Sequence, residues 1–392
     1  MAAIPQSAVQ HVKAALFSLV TLLATTTYAE NFNTFSLPGY DLQPTMINAS
    51  GTVAGLAFGP GNAQLFIRNS KGDIELFTPE NSTGLATSVL GMNDKGDIVG
   101  TYLDNTTGTY KGFLRSSNGS VSSYSAPGSS FITIQTAINN AGAVTGAYIN
   151  ASGEAFAYVR QGNKLDIFQV PVDNAGAVNV QTIPLYINVK GQVSGRVVYQ
   201  VPETFPGSNY VNYVSYAETF IRNADGSIVL VPAPELFLPE NYFVADLQMT
   251  PTGMNANGDV SGYYFYGLYE FDGTNATRVA DIQKGFVADS SGSMVEVEPP
   301  DAFYVNPHNL LEIQAQASGI NGSGKVVGYY RDPVTYTNIA FVFTQKGTAG
   351  SYDTFDLSQH SAAVITGINN GGKVIGSYYD QDSASFNGFI AN

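Results

Sequence analysis

The chain has 392 residues, of which only 12% are charged, and a formal net charge of −14. That surplus of acidic groups repels nucleic acid and anionic membrane surfaces. The absence of cysteine excludes disulfides and thiolate metal sites, and 41 glycines beside 24 tyrosines and 23 phenylalanines describe a turn-rich, all-β protein.

Residues 1–29 read as a secretory signal: Lys13 precedes an apolar run from Ala14 to Ala24, followed by a small-residue site at Thr27-Tyr28-Ala29. The run is too short to span a bilayer, and no later segment is long and apolar enough, so no membrane span is expected. Residues 30–392 are expected to form one secreted, monomeric domain, extracellular or periplasmic. Its balance is 16 basic against 31 acidic residues once Lys13 is gone.

A pattern Asn-x-x-Gly-x-(Val/Ile)-x-Gly begins at Asn48, Asn93, Asn139, Asn188, Asn255, Asn321 and Asn369. A unit of this length cannot bury a core alone and must stack on its neighbours. The third copy shows the layout. Ile134 to Ile138 forms a strand, Asn139 to Gly142 a turn, and Ala143 to Tyr148 a second strand. Strands near Ala155 to Arg160 and Leu165 to Val170 complete a four-stranded antiparallel blade. Seven copies predict a seven-bladed β-propeller. Phe32 to Pro38 reads as a fourth strand without a unit before it, and the last unit stops after its third strand at Phe389, so the N-terminal strand is expected to complete the last blade.

In each copy Asn bonds its own backbone and the first Gly supplies the left-handed turn residue. The second Gly (Gly55, Gly100, Gly146, Gly195, Gly262, Gly328, Gly376) lies mid-strand, where it marks close approach, read here as blade-to-blade packing. Phe66, Phe113, Phe156, Phe220, Phe286, Phe341 and Phe389 on the third strands read as core wedges.

These third-strand residues sit in triplets such as Glu154-Ala155-Phe156, Lys111-Gly112-Phe113 and Asn387-Gly388-Phe389, and the pattern resembles the bacterial extracellular HAF-repeat family, named for that signature. Its histidine is replaced in every copy here. The resemblance implies secretion and a propeller-like fold, and no particular activity.

The fourth and fifth units carry insertions between the second Gly and the Phe, 25 and 24 residues against 10 to 13 elsewhere, and long connections follow Pro232 and Pro299. All four insertions project from one face over blades four to six, where binding function sits on a rigid scaffold. Tyr210, Tyr213, Tyr242, Tyr263, Tyr264, Tyr266, Tyr269 and Tyr304 are the candidate ligand-binding residues, each offering a flat apolar face with a polar tip. Alternation along Tyr263 to Phe271 would send half of that segment into the core. Residues 200–312 hold 15 acidic residues against Arg222, Arg278 and Lys284, which suits a neutral glycan or a protein partner.

Candidate catalytic residues are His308, His360 and Arg331, beside Asp332, in loops on that face, as a polysaccharide lyase or hydrolase would need; the plainer account of the histidines is two solvated side chains. Asn93 to Asp97 and Asn255 to Asp259 place oxygens near a glycine as calcium loops do, but the repeat turn already explains them, so no metal and no cofactor are assigned. The expectation is a noncatalytic recognition module for a neutral glycan or extracellular protein. The alternatives are a carbohydrate-active enzyme on the same face and a structural surface or matrix protein.

Overall fold

A computed structural model describes residues 26–27, 32–82, 88–204, 211–234, 238, 241–299, 303–305, 311–332, 337–346, 349–355 and 361–391. Among these every regular element is a strand. Antiparallel ladders group the strands in fours. Asp41–Ile47, Val53–Gly59, Asn62–Arg68 and Ile74–Phe77 form one such sheet. Ser361–Ile368, Val374–Asp380 and Ser385–Ala391 form another, with Asn33–Phe35 from the other end of the chain as its fourth strand.

The groups between them fuse into larger sheets where a third strand also pairs, in parallel, with the first strand of the next group. Tyr110 meets Ile132, Ala217 meets Gln248, and Ala280 to Gln283 meet Leu311 to Gln314. The core lies between neighbouring groups. Ala54 and Leu65 pack with Ile98, Tyr102 and Phe113, while Phe35, Leu42, Val53 and Phe66 pack with Ile375 and Ile390.

Each repeat asparagine does more than make a turn. Its Oδ1 accepts backbone N–H groups two or four residues ahead, as Asn139 does from Ala141 at 3.0 Å and Ala143 at 2.9 Å. Its Nδ2 donates to the carbonyl of the next repeat asparagine. Asn48 reaches Asn93 at 3.4 Å, Asn93 reaches Asn139 at 3.2 Å, and Asn139 reaches Asn188 at 2.9 Å. Asn188 reaches Asn255 at 3.2 Å, Asn255 reaches Asn321 at 3.3 Å, and Asn321 reaches Asn369 at 3.4 Å. Asn369 then returns to Asn48 at 2.9 Å, across 321 residues of sequence.

The second Gly is required by its own group rather than by packing between groups, a correction to the sequence reading. Every first strand carries a register shift just before the turn, for example between Val89 and Gly91. That bulge aims a carbonyl at the glycine. A Cβ on Gly100 would lie 1.9 Å from Ser88 O and 2.7 Å from the Phe113 ring, and one on Gly376 would lie 2.1 Å from Val364 O and 2.4 Å from Phe389.

The wedges are fully buried, with one substitution of role. In the third group Gly146 pairs with Tyr158, not Phe156. Tyr158 is 0% exposed and donates its hydroxyl to Ile134 O at 2.9 Å, while Phe156 moves outward to stack on Tyr148, ring centroids 5.6 Å apart.

Two residues beyond four of these wedges stands an arginine that lies over an aromatic ring of the preceding fourth strand: Arg68 over Phe35, Arg115 over Phe77, Arg160 over Tyr124 and Arg222 over Phe168. Arg68 is 5.0 Å from the Phe35 ring centre and so ties the first group to the N-terminal strand. Arg68→Ala is expected to cost about 1–2 kcal/mol, the range for a desolvated cation–π contact. Equilibrium denaturation read by circular dichroism checks this, and an unchanged midpoint would mean that the contact does not help hold the N-terminal strand.

Candidate functional site

The second strand of each group begins at the asparagine turn, so the turns joining second to third strands lie at the opposite end. There the structure corrects the sequence reading of the two long insertions, which are extended hairpins rather than loops. Val193–Glu203 pairs with Asn212–Arg222 along its whole length, as does Val260–Phe271 with Ala276–Ala288. Tyr242–Met254 runs beside them for 13 residues. Together they raise a wall of strands on this face.

The candidate tyrosines divide by pleat. Tyr264 and Tyr266 are 0% exposed, stack on one another at 6.1 Å, and cannot meet a ligand, which corrects their assignment. Tyr213 is 63% exposed near the tip of the wall. Tyr242 and Tyr269 are half-buried, and Tyr269 stacks on Phe243 at 5.4 Å. Tyr263, also half-buried, approaches Tyr186 and Tyr329 closely enough to help burial push both phenols up. Tyr210, His308 and His360 lie outside the described residues, as does the side chain of Tyr304.

That pocket, of about 260 Å³, opens between two adjacent groups and is lined by Phe265, Asp281 and Gln283 from one, and by Gln314, Gln316, Tyr329, Arg331 and Asn338 from the other. The strands explain the convergence. Asp281 and Gln283 alternate on one face of their strand, Gln314 and Gln316 on one face of theirs, and the parallel register sets Gln283 directly beside Gln314. Tyr329 donates its hydroxyl to Gln316 Oε1 at 3.1 Å, and Arg278 ion-pairs with Asp281 while lying 5.9 Å from the Phe265 ring centre. Burial raises the Tyr329 phenol, Tyr263 adds to the effect, and the hydroxyl stays protonated at neutral pH.

A second, larger cavity of about 590 Å³ runs between the first strands of all the groups and shares Gln316 and Tyr329 with the pocket. Its most regular feature is written in the sequence as plainly as the asparagine turn, although the repeat pattern above omits it. The residue before every repeat asparagine is Ile or Met: Ile47, Met92, Ile138, Ile187, Met254, Ile320 and Ile368. All of these line the channel, making an aliphatic collar beside the asparagine ring. The glutamines of the pocket escape a reading built on aromatics; their signal is polar alternation, Asp281-Ile282-Gln283 and Gln314-Ala315-Gln316.

Among the described residues no cluster of His, Asp and Glu is arranged to hold a metal ion, and no helix is long and apolar enough to cross a membrane. No protein-family model and no curated protein matches the chain. Several solved structures are similar to it. One is selenomethionine-substituted virginiamycin B lyase from Staphylococcus aureus, at 12% identity over 93% of this chain and 99% of that one, with a TM-score of 0.49. The β-propeller domain of the Trilobed protease from Pyrococcus furiosus is 11% identical over 89% of this chain and 95% of that one, with a TM-score of 0.50. A prolyl endopeptidase is 10% identical over 87% of this chain but 46% of that one, with a TM-score of 0.50. At such identities the likeness concerns the fold alone, and with the strand pairing it makes this an all-β, propeller-like protein.

Proposed function

We propose that the chain is a secreted, seven-bladed propeller closed by its N-terminal strand, and that it works as a noncatalytic recognition module for a neutral glycan. Closure is supported by the hydrogen bond from Asn369 back to Asn48, by the pairing of Asn33–Phe35 with the last strand, and by Phe386 N–H donating to Asp41 Oδ1 at 2.7 Å. The seven repeat units and the resemblance to exported HAF-repeat proteins agree with it.

The observation that carries the binding reading is the pocket. Gln283, Gln314 and Gln316 set their amides side by side, with Asp281, Arg331 and the Phe265 ring in the same lining, while Asn338 donates its Nδ2 to Ala363 O at 3.2 Å. Paired amides match neighbouring sugar hydroxyls, and an aromatic ring matches the apolar face of a pyranose. A lyase would instead need a proton acceptor here. Burial disfavours the phenolate of Tyr329, and the Asp281 carboxylate is engaged by Arg278.

Incubating the purified protein with neutral and acidic polysaccharides, then following retention and polymer length by size exclusion, tests this. Retention of a neutral polymer without shortening is expected, weakened about tenfold by Gln283→Ala or Gln316→Ala, the value of one hydrogen bond. Shortened chains would make it an enzyme; failure to retain any polymer would move the search to an extracellular protein partner.

A further inference from the structure

We propose that the polar pocket and the central channel act as one site for a single-chain amphiphile. The sugar head rests against the pocket amides, and an unbranched alkyl or acyl chain runs along the channel to the aliphatic collar. The head-group half rests on the neutral-glycan reading above; the tail half rests on separate observations.

The first is continuity. Gln316 and Tyr329 line both cavities, so a ligand seated on the amides is already at the channel mouth. The second is the chemistry of the channel wall. Three of its threonines turn their hydroxyls onto the protein. Thr366 donates to Pro44 O at 2.7 Å, Thr45 to Ala54 O at 3.3 Å, and Thr252 shares a hydrogen bond with Ser261 at 3.2 Å.

The third observation lies beside the collar. The asparagine amides are spent on one another and on backbone, so the channel presents Ile and Met side chains there rather than free donors. Apolar atoms make the larger share of this wall, which gives methylene groups a surface to lie against. Leu90, 41% exposed although it lines this channel, is apolar surface that such a chain would cover.

The prediction is graded. In calorimetric titrations of the full chain with methyl, butyl, hexyl and octyl β-glucosides and β-galactosides below their micelle concentrations, affinity should rise about threefold to fourfold per added methylene. Heat-capacity changes should become more negative in step. Met92→Phe combined with Ile368→Phe, both on the collar, should abolish the length dependence and leave methyl glycoside affinity as it was, with thermal melting confirming the fold.

Equal affinity at every chain length would overturn the tail assignment while the sugar reading stood. Persistence of the length dependence in the Phe double variant would also overturn it, by placing the tail elsewhere. If octanol bound as tightly as octyl glycosides, and Gln283→Ala changed neither, the sugar reading and the joint site would fall. If no glycoside of any length bound, both assignments would fall.

Discussion

Replacing Lys284 with alanine is expected to cost about 3 kcal/mol, the low end for breaking a buried pair, because it strands two partly buried carboxylates without their cation. Lys284 is 3% exposed, and its Nζ lies 2.7 Å from Glu298 Oε2 and 3.1 Å from Glu296 Oε2. Tyr264 donates its hydroxyl to Glu296 from the neighbouring strand, with Tyr266 stacked beside it. Burial alone would lower the Lys284 ammonium, but Glu298 and Glu296 outweigh it and hold it above the ordinary lysine value of 10.5. One ammonium between two carboxylates leaves a negative charge uncompensated. Burial pushes the Glu298 carboxyl up against the pull of Lys284, and the neighbouring Glu296 adds to the rise.

The pH dependence follows from those directions. For Lys284 the contribution to stability is complete below pH 10.5 and lost as pH rises through the raised folded value. For Glu298 the folded protein binds its proton more tightly than the unfolded chain does. Its contribution is therefore largest below the ordinary value of 4.5 and declines as pH rises through the folded one. Urea denaturation carried from about pH 9 to beyond pH 10.5 should show the wild type weakening once the pH passes 10.5, and Lys284→Ala losing most of that alkaline step. A loss under about 1 kcal/mol for Lys284→Ala would mean that water reaches the cluster. The triple change Lys284→Met, Glu296→Gln, Glu298→Gln should recover much of the loss, since apolar and neutral groups escape the desolvation cost.

What could be read from the chain and what could not divide along physical lines. The asparagine turn, the mid-strand glycine and the aromatic wedge each depend on local geometry that repeats, so their spacing alone exposes the strand order of a group. Register within a strand is subtler. Phe156 and Tyr158 lie on one face two residues apart, and only the pairing with Gly146 shows which of them is the wedge. The insertions read as loops because added length does not distinguish a loop from a longer hairpin; the alternation from Tyr263 to Leu268, which buries Tyr264, Tyr266 and Leu268, is the better guide. The pocket is hidden for another reason. It joins Gln283 to Gln314 and Asp281 to Arg331 across two groups, and no pattern inside one repeat records which residues of the next will face it.

The asparagine ring makes the second large prediction, and it bears on closure. Asn139 is 6% exposed, accepts two backbone N–H groups and donates to Asn188 O at 2.9 Å. Alanine there leaves two buried polar groups, the Ala143 N–H and the Asn188 carbonyl, without partners and gives the Ala141 N–H to water, so Asn139→Ala is expected to cost about 2–3 kcal/mol. The change Asn139→Asp separates the two functions. It keeps an acceptor for the turn but sets a second oxygen against the Asn188 carbonyl, so this variant should be as unstable as the alanine one at neutral pH. Because the introduced carboxyl would titrate at a raised value in the folded state, stability should return as the pH is lowered through it. Asn369→Ala is the decisive companion, since its amide spans from the last group to the first at 2.9 Å. In a closed ring it should cost as much as Asn139→Ala in the same urea titration. A neutral Asn369→Ala beside a costly Asn139→Ala would mean that the ends part in solution, and that the N-terminal strand on Phe389 and Ile390 holds them only loosely.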